Sequence, residues 1–307
     1  MKTFFNSFLT ITKTTFKGFD NHNLMTFAAG IAFYTIFSLP GLLITIIVTA
    51  GFFLGQEAVE GELISQLEGL IGTSSAASVQ GIIKNIQLSG DFSLKTAFGI
   101  GTLLFSATTI FITLQEALNR IWDVVAVPER GFVKFIFNRV ISFGMIISLG
   151  FILLVSLLLD TLLSLFFDRI EEVTGKETSF WIDFSSHFST ILIVFIVISL
   201  LFKLLPDVQL KWRDVIMASL ITTGFLMVGN YGIGAYIKNS NFTETYDAAG
   251  SIIIILVWVY YSTVVVLLGA EITRAIMIYN RKPIRPAKGA KKISLQTMDY
   301  DEYKSNL

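Results

Sequence analysis

The chain has 307 residues, 53% of them hydrophobic and 15% charged, with 23 basic and 23 acidic side chains, no cysteine and a mean hydropathy of +0.69. Soluble domains carry about 25% charged residues, so this balance argues against an ordinary soluble enzyme. The missing cysteine excludes disulfides, thiolate metal sites and cysteine catalysis.

Six stretches lack Asp, Glu, Lys and Arg altogether: 21–56, 96–115, 140–159, 184–202, 215–237 and 248–270. Each is about as long as, or longer than, the roughly 20 apolar residues that cross a bilayer core. One or two such runs could be buried core helices; six predict an all-α polytopic integral membrane protein. The expected spans are 24–55, 95–119, 137–160, 182–203, 214–238 and 248–274 within a transmembrane domain over 21–279.

In chain order, residues 1–20 come first. Phe5, Phe8, Leu9, Phe16 and Phe19 recur at helical spacing with Lys13 and Lys17 between them. That pattern predicts an amphipathic helix on the membrane surface, and the lysines break any signal-peptide apolar core. The first crossing carries Pro40 in "FYTIFSLPGLLITII", and proline removes a backbone donor, so a kink near Phe37–Pro40 is expected. An outer helical loop over 57–93 reads as two short amphipathic helices broken at "GTSS", which either cap an outer vestibule or rest on lipid. A second, acidic outer loop follows at 167–180. The end, 280–307, contains "NRKPIRPAKGAKK" and is expected to be a basic, disordered tail lying against anionic lipid.

Charge bias sets the orientation. With both termini inside, 18 of the 23 basic residues fall on the inner segments, and 13 of the 23 acids on the outer ones. The positive-inside rule therefore predicts a multi-pass protein of the cytoplasmic membrane with cytoplasmic N- and C-termini.

Polar residues near the inner edge are the candidates for function. In "LQEALNRIWDV" (114–124), Glu116, Asn119, Arg120 and Asp123 recur at i, i+3, i+4 and i+7 on one helical face, opposite Leu114, Ala117, Leu118, Ile121 and Val125. The last crossing ends "LLGAEITRA", with Glu271 and Arg274 at i, i+3. Ionised groups at the edge of an apolar run are costly unless paired or hydrated. Glu116, Arg120, Arg139, Asp214, Glu271 and Arg274 therefore predict an inner cluster that serves either structural pairing or a substrate or gating site, with Asn119 beside it. Trp122, Trp181 and Trp212 fit an interfacial aromatic belt. Asn230, in "LMVGNYGIGAY", is the one amide well inside a charge-free span; it either glues helices together or lines a pathway.

Catalytic patterns are missing. The two histidines, His22 and His187, are expected on opposite sides of the membrane, with no HExxH, no GxSxG and no phosphate loop. No enzymatic activity and no cofactor or metal is expected. The basic tail needs no nucleic acid to explain it.

Four pieces, "MTFAAGIAFYTIFSLPGLL", "LLFSATTIFITLQEALNRIWDV", "LFKLLPDVQLKWRDVIMASLITTGF" and "LVWVYYSTVVVLLGAEITRA", resemble the YihY/BrkB family of bacterial inner-membrane proteins over roughly residues 5–280. "SLPGL" stands where the family's "LAP" is expected, a mild departure. The resemblance implies six helices with both termini inside. Members have carried the label ribonuclease BN, which a chain without a hydrolytic centre does not support, and others are regarded as lipid or solute transporters. Glu116, Asn119, Arg120, Asp207, Arg213, Asp214 and Glu271 fall within the matching motifs, where they have no assigned role. The leading expectation is transport or flipping of a lipid-like or anionic substrate, with Glu116 and Glu271 as proton- or cation-coupled carboxylates and Arg120 and Arg274 holding an anionic head group. A non-transporting membrane scaffold or envelope-assembly factor is the alternative. Expected partners are membrane lipids and an unidentified small or lipid-linked substrate, with self-association left open and no nucleic acid.

Overall fold

The computed structural model describes residues 2–71, 73–87, 94–127, 179–239 and 248–293 and, singly, 140, 144, 148 and 169. Eight helices lie in this part: α1 (Lys2–Asn21), α2 (Leu24–Leu54), α3 (Gln56–Ile71), α4 (Thr73–Gln87), α5 (Leu94–Ile121), α6 (Ser179–Leu204), α7 (Trp212–Asn239) and α8 (Ala248–Tyr279). Two short strands, β1 (Val124–Ala126) and β2 (Ala290–Lys292), join them.

The apolar runs form helices because a bilayer offers backbone groups no partner but their own chain. α2 packs along α5 and α8, and α7 along α6 and α8. Small residues permit the closest approach. A Cβ on Gly269 would sit 1.8 Å from Thr222 Oγ1, and one on Gly229 would sit 1.5 Å from the Tyr261 hydroxyl. Such contacts replace the hydrophobic drive that lipid cannot supply between helices.

The core lies in two clusters. Leu24, Ala28, Phe111, Leu118, Trp122, Phe202, Val215 and Leu267 fill the end of the bundle that holds the α1–α2 turn and the chain's tail. Leu43, Ile47, Leu63, Val79, Ile83 and Ile254 fill the other end. There α3 and α4 turn their apolar faces onto α2 and α8 instead of lying free on a lipid surface. Trp122 is only 2% exposed, so it belongs to the core and not to an interfacial belt. Trp212 is exposed, with the Lys203 ammonium 5.5 Å from its ring centre.

Among the described residues, Ile252–Tyr279 is the one helix long and apolar enough to cross a bilayer by itself, and only 33% of its most apolar stretch is buried within the protein. A soluble core helix would be covered; the uncovered remainder suits lipid. α1 and the first half of α2 meet the same criterion only as a pair, bent by 58°. The bend is made at Asn23, whose φ of 54° is left-handed, a conformation asparagine tolerates. The third expected span, 137–160, lies outside the described residues except for helical positions 140, 144 and 148, and so does most of the acidic loop at 167–180.

The tail departs from the expectation of disorder over 280–293, and 294–307 lie outside the described residues. Residues 280–293 are ordered and strap two loops together. β2 pairs antiparallel with β1, placing Val124 opposite Lys292 and Ala126 opposite Ala290. Gln209 N–H donates to the Arg285 carbonyl at 2.9 Å, and Ala287 N–H to the Asp207 carbonyl at 2.9 Å. The prolines that suggested disorder hold an extended chain whose remaining donors find partners on neighbouring loops. Ile284 packs against the core beneath.

The close approach of α7 and α8 generates a test. Gly269→Ala should lower stability by about 1–3 kcal/mol through overpacking against the fully buried Thr222. Gly224→Ala, where a Cβ meets nothing within 4 Å, should leave the thermal midpoint in detergent unchanged or slightly raised.

Candidate functional site

At the tail end of the bundle, four ionisable side chains from three places in the sequence close into a ring. His22 occupies the turn between α1 and α2. Asp123 follows α5, and its φ of 52° turns the chain from the helix into β1. Glu271 and Arg274 lie one turn apart on α8. His22 Nδ1 is 2.8 Å from Glu271 Oε2, and His22 Nε2 is 3.6 Å from Asp123 Oδ1. Arg274 donates from Nη1 to Glu271 Oε1 at 3.2 Å and from Nη2 to Asp123 Oδ2 at 2.5 Å. Each carboxylate thus bridges both cationic groups.

Burial makes the ring consequential. Glu271 has no exposure, His22 is 5% exposed, and the Arg274 side chain is 14% exposed. Leaving one buried charge unpaired costs about 3–5 kcal/mol, so removing one member strands another. Burial by itself disfavours the charged His22 imidazolium, but hydrogen bonds to Asp123 and Glu271 outweigh it and raise the pKa above 6.5. Burial likewise works against the Asp123 carboxylate, and its bonds to His22 and Arg274 prevail, holding its pKa below 3.8.

Helix α1 closes the ring from outside. It runs antiparallel to the end of α8, with Ser7 Oγ 2.6 Å from the Tyr279 hydroxyl at one end and Gly18 against Glu271 at the other. A Cβ on Gly18 would lie 2.0 Å from Glu271 Oε1. Only a glycine there leaves room for the carboxylate.

The other expected residues lie around the ring without all joining it. Asn119 pairs with Asp207 through two bonds, Nδ2 to Asp207 Oδ2 at 2.9 Å and Asp207 N–H to Asn119 Oδ1 at 2.7 Å. Asp214, in the first turn of α7, takes an ion pair from Lys282 of the tail. Glu116 is exposed, and among the described residues it forms no ion pair with Arg120, which is half-buried instead. Asn230 is half-buried on α7, away from these charges. Arg139 lies outside the described residues.

Spacing grouped Asp123 with Glu116, Asn119 and Arg120 on one helical face, but the structure places it beyond the end of α5, in a turn. His22 is the ring member that spacing did not single out: it too stands in a turn, where helical periodicity carries no information, and its expected place on the same inner edge as Glu271 was the available signal.

Two clefts flank the ring and share His22. One, of 370 Å³ between α1 and α8, is lined by Lys13, Lys17, Gly18, Asn21, His22 and Arg274, among others. The second, of 480 Å³, runs between α2 and α5 past Thr26, Phe27, Tyr34, Thr113 and Arg120. Among the described residues, no group of three or more His, Asp or Glu is arranged to hold a metal ion.

Two outcomes follow from the ring. Gly18→Ala should displace Glu271 and lower stability by about 1–3 kcal/mol, read as a drop in thermal midpoint that Gly30→Ala, with open space at its Cβ, does not share. The second concerns pH. Because the folded pKa of His22 is raised, its contribution is complete below 6.5 and is lost as pH climbs through the raised value. The charges facing it are Asp123, Glu271 and Arg274 in the ring, with Lys13, Lys17 and Arg120 in the adjoining clefts. The thermal midpoint of the wild type should therefore fall with rising pH in this range, and that of His22→Gln should not; equal slopes would refute the assignment.

Comparison with known proteins places this architecture. The family model Virulence factor BrkB matches residues 15–293. A UPF0761 membrane protein of Stenotrophomonas maltophilia is 24% identical over 270 residues, 87% of this chain and 60% of that protein. One of Pseudoalteromonas atlantica is 26% identical over 258 residues, covering 83% and 82%. The ribonuclease-like protein YfkH of Bacillus subtilis is 27% identical over 285 residues, covering 89% and 96%. The chain thus spans 60% of the length of the Stenotrophomonas relative, and no solved structure matches it significantly. With membrane proteins as its relatives, helices as its architecture and a match that takes in the α1–α2 turn, the ring and the tail strap, this chain belongs to the Virulence factor BrkB family of membrane proteins.

Proposed function

We propose that the protein moves an anionic, lipid-like substrate across the membrane, and that the His22–Asp123–Glu271–Arg274 ring is the latch of that movement. The observation that carries this reading is the position of His22. Held by Glu271 at 2.8 Å, it lines both clefts. A substrate passing from one cleft to the other must displace it.

The electrostatics support a latch more than a plain brace. With His22 charged, two carboxylates balance two cations and the ring is neutral. Loss of the His22 proton leaves one buried negative charge in excess, which weakens the closed arrangement. An anion entering the cleft of Lys13 and Lys17 competes for Arg274, whose guanidinium suits carboxylate and phosphate alike. The apolar α8 transmits the result, because the two ring residues Glu271 and Arg274 sit on its last turns.

Reconstituted vesicles test the proposal. Glu271→Gln keeps the shape of the side chain, and loss of the His22 proton can rebalance the ring, so the variant should fold with a lowered thermal midpoint and lose transport of fluorescent anionic lipid by at least about tenfold, the scale of one lost charge-assisted contact. Normal transport by a folded Glu271→Gln protein would sink the assignment. Vesicles in which the wild type moves nothing would leave the scaffold reading standing.

A further inference from the structure

We infer that the cleft between α1 and the end of α8 is a binding site for a phosphate-bearing head group, held by Lys13, Lys17 and Arg274. The inference deepens the transport reading by naming the substrate's chemistry, and it rests on that reading only for what happens to the ligand afterwards.

Three observations converge on the cleft. Its lining carries Lys13, Lys17, His22 and Arg274 and no carboxylate, so the local field favours an anion. Its 370 Å³ falls within the range of about 300–1,000 Å³ typical of small-ligand sites. Finally, Arg274 gives Nη1 and Nη2 to the ring while its buried Nε has no hydrogen-bond partner among the described residues. A buried guanidinium donor without an acceptor costs the full desolvation of that group, and a shift of the guanidinium toward the cleft that Arg274 lines would bring it to a phosphate oxygen. Thr14 spends its hydroxyl proton on the Thr10 carbonyl at 2.8 Å, which leaves the Asn21 amide as the neutral donor of the lining.

The surface beside the cleft points to a lipid as the source of that phosphate. Lys13 has Leu9 at i−4 and Phe16 at i+3, its direct neighbours on the helix. These side chains are 50% and 67% exposed. An acyl chain can lie along that apolar stripe while its head group reaches the lysines, which extend over apolar surface with the charge at the tip. A phosphate on a plain membrane surface would meet lysines alone. Here it also meets a buried arginine and sits against the latch.

The test uses the full chain in detergent and avoids the ring. Short-chain phosphatidic acid, the matching diacylglycerol and soluble glycerol 3-phosphate are titrated, with binding read by native mass spectrometry and by the shift in thermal midpoint. Lys13→Gln/Lys17→Gln removes two exposed cations that make no ring contact. Lys291→Gln/Lys292→Gln removes the same charge from the exposed strand β2 and serves as the control. The expected result is saturable binding of phosphatidic acid, weakened at least about tenfold by the first pair and less than about twofold by the second. Diacylglycerol should not bind. Glycerol 3-phosphate binding as tightly as phosphatidic acid would keep the phosphate site and make its ligand a soluble phosphate. Equal weakening by both pairs, or no binding by the wild type, would overturn the inference. Binding without any transport would keep this site and refute the transport reading alone.

Discussion

A carboxylate with no solvent exposure sits near the end of the long apolar helix α8, and the surrounding arrangement follows from the need to compensate it. Burying the Glu271 side chain is costly unless partners surround it. Arg274 on the same helix supplies one, at a spacing any helix provides. His22 supplies the second, which requires the α1–α2 turn to be drawn against α8. Arg274 in turn needs Asp123, which requires the end of α5 to arrive at the same point. One buried charge therefore specifies the meeting of three chain segments.

The tail and the 205–211 loop extend that logic outward. Asp123 passes from its left-handed turn directly into β1, and β1 is held by β2 of the tail. The Asp123 carbonyl itself accepts from Ile293 N–H at 2.8 Å. The Asn119–Asp207 pair fastens the last turn of α5 to the loop that the tail also grips. The position of one ring carboxylate is thus set by hydrogen bonds that run through the strap. A segment rich in lysine and proline, unremarkable as a membrane-surface tail, is part of the frame of the site.

The ring differs from the cluster that helical spacing alone would draw. Of the six charges expected along one inner edge, Glu271 and Arg274 join His22 and Asp123 in the ring, Asp214 is braced by Lys282, Arg120 lines the neighbouring cleft, Glu116 is exposed, and Arg139 lies outside the described residues. That division separates positions where a substitution strands a buried charge from positions where it does not. It also leaves His22 as the one side chain common to both clefts.

The helical class and its membrane setting were legible in one dimension, because lipid leaves a backbone no other way to satisfy its hydrogen bonds and the resulting apolar runs are long and free of charge. The pairing of Glu271 and Arg274 one turn apart followed from helical periodicity. Periodicity ends where a helix ends. His22, Asp123 and the tail strap lie in turns and extended chain, where nothing local says which distant group will be their neighbour. Trp122 shows the same limit: its type suited an interface, and only the approach of α5 to its neighbours put it in the core. What the tertiary structure alone decided was which charges meet, since a buried carboxylate selects its partners by distance in space and not by spacing along the chain.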